Sequence, residues 1–288
     1  MEFPGKDRLP RLGVGLSFRH EIASEICGHL AEFDFMEVIL DNALRGVLDE
    51  RFWEGVARRL PVVGHGINTS LGSLEPLDAG YLQRVAAMAQ QMRCRWFSDH
   101  LSFTRSHKLD VGQLMPVQFS ESMIAFIARK IRSLGQRLDL PFLVENSAYY
   151  FGIPGSTLSE VDFIVGLLQS ARCGLLLDVN NLYANAVNHD YDPYAFIDRL
   201  PAAAVVEIHV AGGERRGELY VDTHGHPVTA EVLALLDYAI ATKKPNAIVL
   251  EREQNFPSMA ELVGEVREVR RLWQRHAAHS VRMLPRIA

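Results

Sequence analysis

A chain of 288 residues, 48% of them hydrophobic, is long enough for one large core, and its net charge of −5 leaves no overall positive field to attract nucleic acid. The N-terminus, "MEFPGKDRLP", has no apolar signal region and no later stretch approaches the ~20 apolar residues of a membrane span, so a cytoplasmic chain without a membrane partner is expected. Cys27, Cys94 and Cys173 are widely spaced and form no C-x-x-C pattern, which indicates buried thiols rather than disulfides or a thiolate metal site.

The first apolar run, "RLGVGLSF" (11–18), predicts a strand, and residues 20–33 behind it carry apolar side chains at helical spacing. The couple then recurs along the chain. Strand runs at 33–40, 60–67, 93–103 and 140–147 are followed by helical spacing at 48–60, 78–92, 120–138 and 157–171. Runs at 173–181, 203–210 and 246–253 are followed by helical spacing at 192–200, 229–243 and 258–273. Ser156 or Thr157 is the expected N-cap of the fifth helix, and Pro193 suits the first turn of the sixth.

Strict alternation implies parallel strands with right-handed crossovers, and eight couples at this length favour a closed (β/α)8 TIM barrel over an open doubly wound sheet. One α/β domain is expected over 1–276, ahead of a basic tail at 277–288. The strand runs are apolar throughout, as strands buried on both faces require.

Nearly every run ends in polar groups: Glu37, His65, Asp99 with His100, Glu145 with Asn146, Asp178 with Asn180, Glu207 with His209, and Glu251. In a barrel these ends meet at the C-terminal face, where barrel enzymes assemble their sites. Alternation along extended chain would put Asp178 and Asn180 on one face of their strand and Glu207 and His209 on one face of the next, so that both pairs aim at the same axis. Carboxylates gathered without compensation repel one another, whereas carboxylates and imidazoles around a cation satisfy one another. His65 and His100 have structural readings as hydrogen-bonded core histidines, and Glu207 has one as a partner of His209; a lone buried carboxylate such as Glu145 or Asp178 is costly without a function.

The seventh strand leads into a glycine-rich loop, "AGGERRGELYVDTHGHPV", long enough to fold over the mouth. If 220–226 is extended, Asp222, His224 and His226 project to one side about 7 Å apart. Imidazole and carboxylate donors without thiolate suit iron, manganese or zinc, and the number of donors calls for two or three ions.

The series "GHGINTSLGS", "SDHLSF", "LVENSAYY", "LLLDVNNLY", "EIHVAGG", "DTHGHPV" and "LERE" resembles the multinuclear non-haem iron-dependent oxidative enzymes over residues 13 to about 273. The resemblance implies a barrel like that of xylose isomerases, two or three irons of mixed ferrous and ferric state, dioxygen as cosubstrate, and oxidation of cysteine or another residue in a ribosomally made precursor peptide. It further implies a small partner protein that presents the peptide. His65, His100, Glu145, Asp178, His209 and Glu251 would hold a central iron pair, with Glu145, Asp178 and His209 at the reacting centre. Asn180, Asp222 and His224 would serve a neighbouring or third position. Ile39, Gly213 and the Arg252–Glu253 pair depart from the family pattern at the rim.

The stretch 266–288 carries six arginines against one glutamate, which reads as a solvated helix face or as a docking surface for an acidic leader or partner. Rival readings are a divalent-metal sugar isomerase or epimerase, a trinuclear zinc endonuclease, which net acidity opposes, and a non-catalytic metal- or peptide-binding barrel.

Overall fold

The eight apolar runs form β1 (Gly13–Ser17), β2 (Met36–Ile39), β3 (Val62–Gly66), β4 (Phe97–His100), β5 (Phe142–Glu145), β6 (Gly174–Asp178), β7 (Val205–Val210) and β8 (Ala247–Leu250). All pair in parallel, and β1 pairs with β8 to close the barrel. The computed structural model describes residues 6–106 and 109–282. No helix among the described residues is long and apolar enough to cross a membrane.

The period of two divides each strand between an outer and an inner core. Val14, Leu16, Met36, Val38, Leu175, Leu177, Ile248 and Leu250 face the helices. Phe35, Val63, Trp96, Leu143, Leu176, Ala247 and Val249 fill the lower barrel. Gly15 is fixed by this packing, since a Cβ there would meet the Phe35 carbonyl at 2.6 Å and its ring at 2.8 Å. With the lower barrel packed mainly by apolar side chains, the inward residues one pleat higher form a polar layer. His65 lies opposite Ser98, His100 opposite Glu145, and Asp178 opposite His209.

The structure corrects several sequence expectations. The run at 93–103 divides into β4 and the first strand of a hairpin, Ser102–Ser106 paired with Leu109–Pro116. The seventh βα loop folds as a second hairpin, Glu214–Arg216 with Leu219–Val221. β6 stops at Asp178, which caps an unexpected helix, Val179–His189, so Asn180 lies in a helical turn and strand alternation does not place it. Pro193 does open the helix Pro193–Arg199. The fifth helix, Glu160–Ala171, is capped by Ser159 rather than Ser156 or Thr157. Arg51–Ala57 is a π-helix, and Cys27 is half-buried where Cys94 and Cys173 are buried.

The last helix runs Met259–Arg282 and so includes the start of the tail expected at 277; residues 283–288 lie outside the described residues. Within its described face, Arg267 is bound to Glu32, and Arg270 to Asp34 and the Glu32 carbonyl. These arginines hold the helix to the barrel.

Candidate metal centre

Each inward donor is held by a local device. Asp178 is the N-cap of Val179–His189: Oδ1 accepts the Asn181 N–H at 2.7 Å, which leaves Oδ2 turned to the barrel axis. Asn146 exchanges two 2.9 Å hydrogen bonds with the Asp178 backbone and ties the ends of β5 and β6 together. His209 points Nε2 at Glu37 Oε2, 2.8 Å away, and so presents Nδ1 to Glu251 Oε2 at 3.1 Å and to Glu145 Oε1 at 3.6 Å. His65 is fixed through Nδ1 by the Ser98 hydroxyl at 2.8 Å, leaving Nε2 3.4 Å from Glu145 Oε2. His100 presents Nε2 to the same oxygen at 3.3 Å.

Glu145 thus stands between two donor groups, His65 with His100 on one side and Asp178, His209 and Glu251 on the other, and each group gathers its atoms within 4.8 Å. The loop after β7 completes the wall. His224, at φ +48°, puts Nε2 2.7 Å from Asp222 Oδ1 and Nδ1 3.2 Å from Glu251 Oε2. Asn180 donates to Asp222 Oδ1 and accepts from the Tyr220 hydroxyl. Every metal-ligand candidate from the sequence therefore borders one centre.

Three other polar residues do not. His226 turns outward to Glu214, because the left-handed backbone at His224 breaks the expected alternation. Asp99 faces the outer layer and accepts from the backbone N–H and hydroxyl of Thr69. Glu207 points inward but lies beneath the site, where the Trp96 indole donates to it at 2.7 Å. Its own neighbour His209 is held by Glu37 instead.

Sequence reading missed Arg19, which is buried just past β1, bonds Glu251 at 3.5 Å and Glu253 at 2.9 Å, and reaches the Arg252 carbonyl. A cation two residues past the end of β1, the strand from which no site residue was expected, was the available signal. Ser98 was legible as well, two residues before His100 on the same face.

The charges are strongly interdependent. Burial pushes the Glu145 carboxyl up, but the imidazoles of His100, His209 and His65 outweigh it and hold the group at about 2. Burial likewise opposes ionisation of Glu251, yet His209 and His224 bring it well below the usual carboxylate range. Asp178 goes the other way, well above its ordinary value, from burial with Asp222 and Glu145 nearby, although His224 opposes the shift. Burial disfavours the His100 cation, but Glu145 and Asp99 raise it to about 10. His209 and His224 are raised well above the ordinary value by Glu37 and Glu251, and by Asp222 and Glu251, against the cost of burial.

A cation test can be made on lone pairs. Glu145 Oε2, Asp178 Oδ2, His209 Nδ1 and both ring nitrogens of His224 are buried, and although carboxylate oxygens and imidazole nitrogens face one another there across 2.7–3.8 Å, none of these atoms has a partner at hydrogen-bonding geometry. Such groups are costly unless something else satisfies them, and all of them face this centre. The donor set fits metal ions that accept mixed imidazole and carboxylate ligands. Above it opens a cavity of about 300 Å³, walled by Ile39, Gln113, Leu114, Tyr150 and Glu253.

Comparison with known proteins adds the following. A family model described as "RiPP precursor modification enzyme MbnB/TglH/ChrH" matches residues 13–274. A UPF0276 protein of Alcanivorax borkumensis is 36% identical over 276 residues, 92% of each chain. A UPF0276 protein of Neisseria gonorrhoeae is 38% identical over 266 residues, covering 89% of this chain and 93% of the relative. Among solved structures, an L-ribulose 3-epimerase superposes with a TM-score of 0.60 at 12% identity, covering 96% of this chain and 99% of that one. The 3-keto-D-glucoside 4-epimerase YcjR of E. coli gives 0.60 at 12% identity, with 90% and 99% covered. These two likenesses establish the xylose-isomerase-like barrel and nothing about the reaction.

Proposed function

The chain belongs to the family of RiPP precursor modification enzymes MbnB/TglH/ChrH, and from that premise we propose that it is an iron- and dioxygen-dependent oxidase acting on a cysteine of a ribosomally made precursor peptide. One observation carries the reading: buried carboxylate and imidazole groups of Glu145, Asp178, His209 and Glu251 converge within 4.8 Å of one another, with atoms of Glu145, Asp178 and His209 left without good hydrogen-bond geometry.

His65, His100 and Glu145 would hold one iron, and Glu145, Asp178, His209 and Glu251 a second, with Asn180, Asp222 and His224 serving a neighbouring position. Iron bound there supplies the redox change and an open coordination position. The chain supplies orientation and exclusion of water. Glu37 accepts a hydrogen bond from the Nε2–H of His209, which leaves Nδ1 as the nitrogen that would ligate; an imidazole held by a carboxylate in this way is a more basic and better aimed ligand. Arg19 occupies Glu251 Oε1, which leaves Oε2 facing His209 and His224. The cap hydrogen bond restricts Asp178 in the same manner.

A cavity of about 300 Å³ between loops suits one side chain of an extended peptide. The half-exposed ring of Tyr150 in its wall, with the exposed Phe151 next along the chain, would give such a peptide apolar footing, and a partner protein would present it there.

The deciding experiment is to purify the protein in reducing, oxygen-poor buffer, count iron per chain, and add air with a cysteine-containing precursor peptide while following peptide mass and oxygen uptake. Two or three irons and an oxygen-dependent mass change are expected. A chain that takes only zinc and leaves the peptide unchanged refutes the oxidase reading, and turnover of a sugar without oxygen uptake would put an epimerase in its place.

A further inference from the structure

Residues 147–153 separate two cavities on the catalytic face. Tyr150 lines the mouth, while its neighbour Tyr149 lines a cavity of about 410 Å³ between the N-terminal ends of the helices Glu160–Ala171 and Pro193–Arg199. The walls of this second cavity are apolar and aromatic, with Phe119, Tyr149, Leu158, Tyr191 and Phe196 among them, and its rim is solvent-exposed at Ser159, Asp192 and Arg199.

Buried in that lining is the carboxyl of Glu160, 7% exposed. Its hydrogen-bond donors are all neutral: Tyr149 Oη at 3.2 Å, Tyr191 Oη at 3.1 Å and Asn185 Nδ2 at 3.3 Å. These donors satisfy the carboxyl oxygens but bring no positive charge to balance a carboxylate at the cavity wall. Among the described residues of the lining, Arg199 is the one cation, and it is already paired with Asp162. Asp192 adds a further acidic group at the rim.

We propose that this cavity is a second binding site, which takes the ammonium group and aliphatic stem of a lysine side chain of the precursor peptide as the peptide lies across the catalytic face. The identity of the ligand rests on the peptide reading above; the site itself rests on the cavity. A protonated amine supplies the charge that Glu160 lacks, the methylene stem matches the apolar sleeve, and aromatic walls favour a cation over a neutral group. Continuity through one loop supports a peptide source, since a chain anchored beside Tyr149 need only cross that loop to bring a neighbouring residue to Tyr150 and the mouth.

The test uses the protein as purified, so its outcome is independent of iron loading and of turnover. n-Butylamine, the neutral isostere butan-1-ol, and N-acetyl-lysine N-methylamide are titrated at pH 8 and followed by ligand-observed NMR, with wild type and Glu160→Gln in parallel. Butylamine is expected to bind at least about tenfold more tightly than butanol to wild type, and the lysine derivative at least as tightly as butylamine. Glu160→Gln is expected to bring both amines down to the alcohol's affinity while its circular dichroism and melting curve show an intact fold. Equal binding of amine and alcohol, or amine binding unchanged in the variant, overturns the site. Strong binding of butylamine with none of the lysine derivative overturns the peptide source.

Discussion

Glu145 and Glu160 lie fifteen positions apart, and both are buried carboxyls near the same face of the barrel, yet they are driven in opposite directions. Imidazoles surround Glu145 and hold it at about 2, whereas burial among neutral donors lifts Glu160 to about 7. Burial alone therefore does not decide the charge of an acid in this protein; the chemistry of its partners does. The first environment is built to keep negative charge in place for a cation. The second tolerates the proton and gives it up only at a cost.

The sharpest way to break this comparison is at Glu145. Glu145→Ala removes the group common to both donor sets, so metal per chain should fall by at least one ion and peptide modification by about a thousandfold or more, read by metal analysis and by peptide mass. Metal uptake should also release protons, because His100, raised to about 10, is cationic at neutral pH and must be neutral to ligate. Affinity is then expected to climb with pH between about 6 and 8, and calorimetry in buffers of different ionisation enthalpy would report the released protons. A flat pH dependence would mean that the imidazoles are already neutral.

Glu160→Gln tests the other environment. The folded value, about 7, lies above the unfolded value of 4.5, so between them the folded chain keeps a proton that the unfolded chain has lost. The stabilising effect is complete below 4.5 and is lost as pH rises through 7. Tyr149, Tyr191, Asn185, Asp192 and the Arg199–Asp162 pair are the polar groups bordering that carboxyl or its cavity. Denaturation midpoints should show wild type losing about 3 kcal/mol relative to the glutamine variant between pH 4.5 and 8. Parallel curves would show that Glu160 carries its charge without penalty.

Glu37→Gln sharpens the comparison at smaller scale, since it keeps the shape of the side chain but loses the charge that holds His209. A roughly 10–100-fold weakening of metal binding is expected, consistent with the usual effect of removing a carboxylate behind a ligating histidine. Partial recovery in Glu37→Asp would distinguish positioning of the ring from general loss of packing.

How far the sequence foretold all this depends on the kind of information each residue carries. The strands were readable because an apolar run buried on both faces has few alternatives at such lengths, and their polar ends followed from the barrel. Asn180 lies beside Asp222, but strand alternation does not place it there: Asp178 uses its side chain to cap a helix, and capping is settled by where the chain turns rather than by periodicity. His226 failed because one positive φ at His224 reverses the alternation, and a histidine gives no sequence sign of adopting that conformation. Glu207 was read as a partner of His209 because it lies two residues away along the strand, whereas the contact that matters crosses the barrel from Glu37 on β2 to His209 on β7.

The smallest effect separates local from tertiary control of the loop that divides the two cavities. Ser159 caps the helix that carries Glu160, its hydroxyl accepting the Asp162 N–H at 3.2 Å. Ser159→Ala should cost about 1 kcal/mol of stability through that orphaned N–H, as cap removals generally do. If the cap only stabilises the helix, the pH-dependent gap between wild type and Glu160→Gln should persist unchanged in the Ser159→Ala background; because the two residues are neighbours, any coupling between them shows as a departure from additivity. A narrowed gap would mean that the cap also fixes the carboxyl against Tyr149 and Tyr191. The loop beside the mouth would then be set by the start of a helix as much as by the hydrogen bonds that cross it.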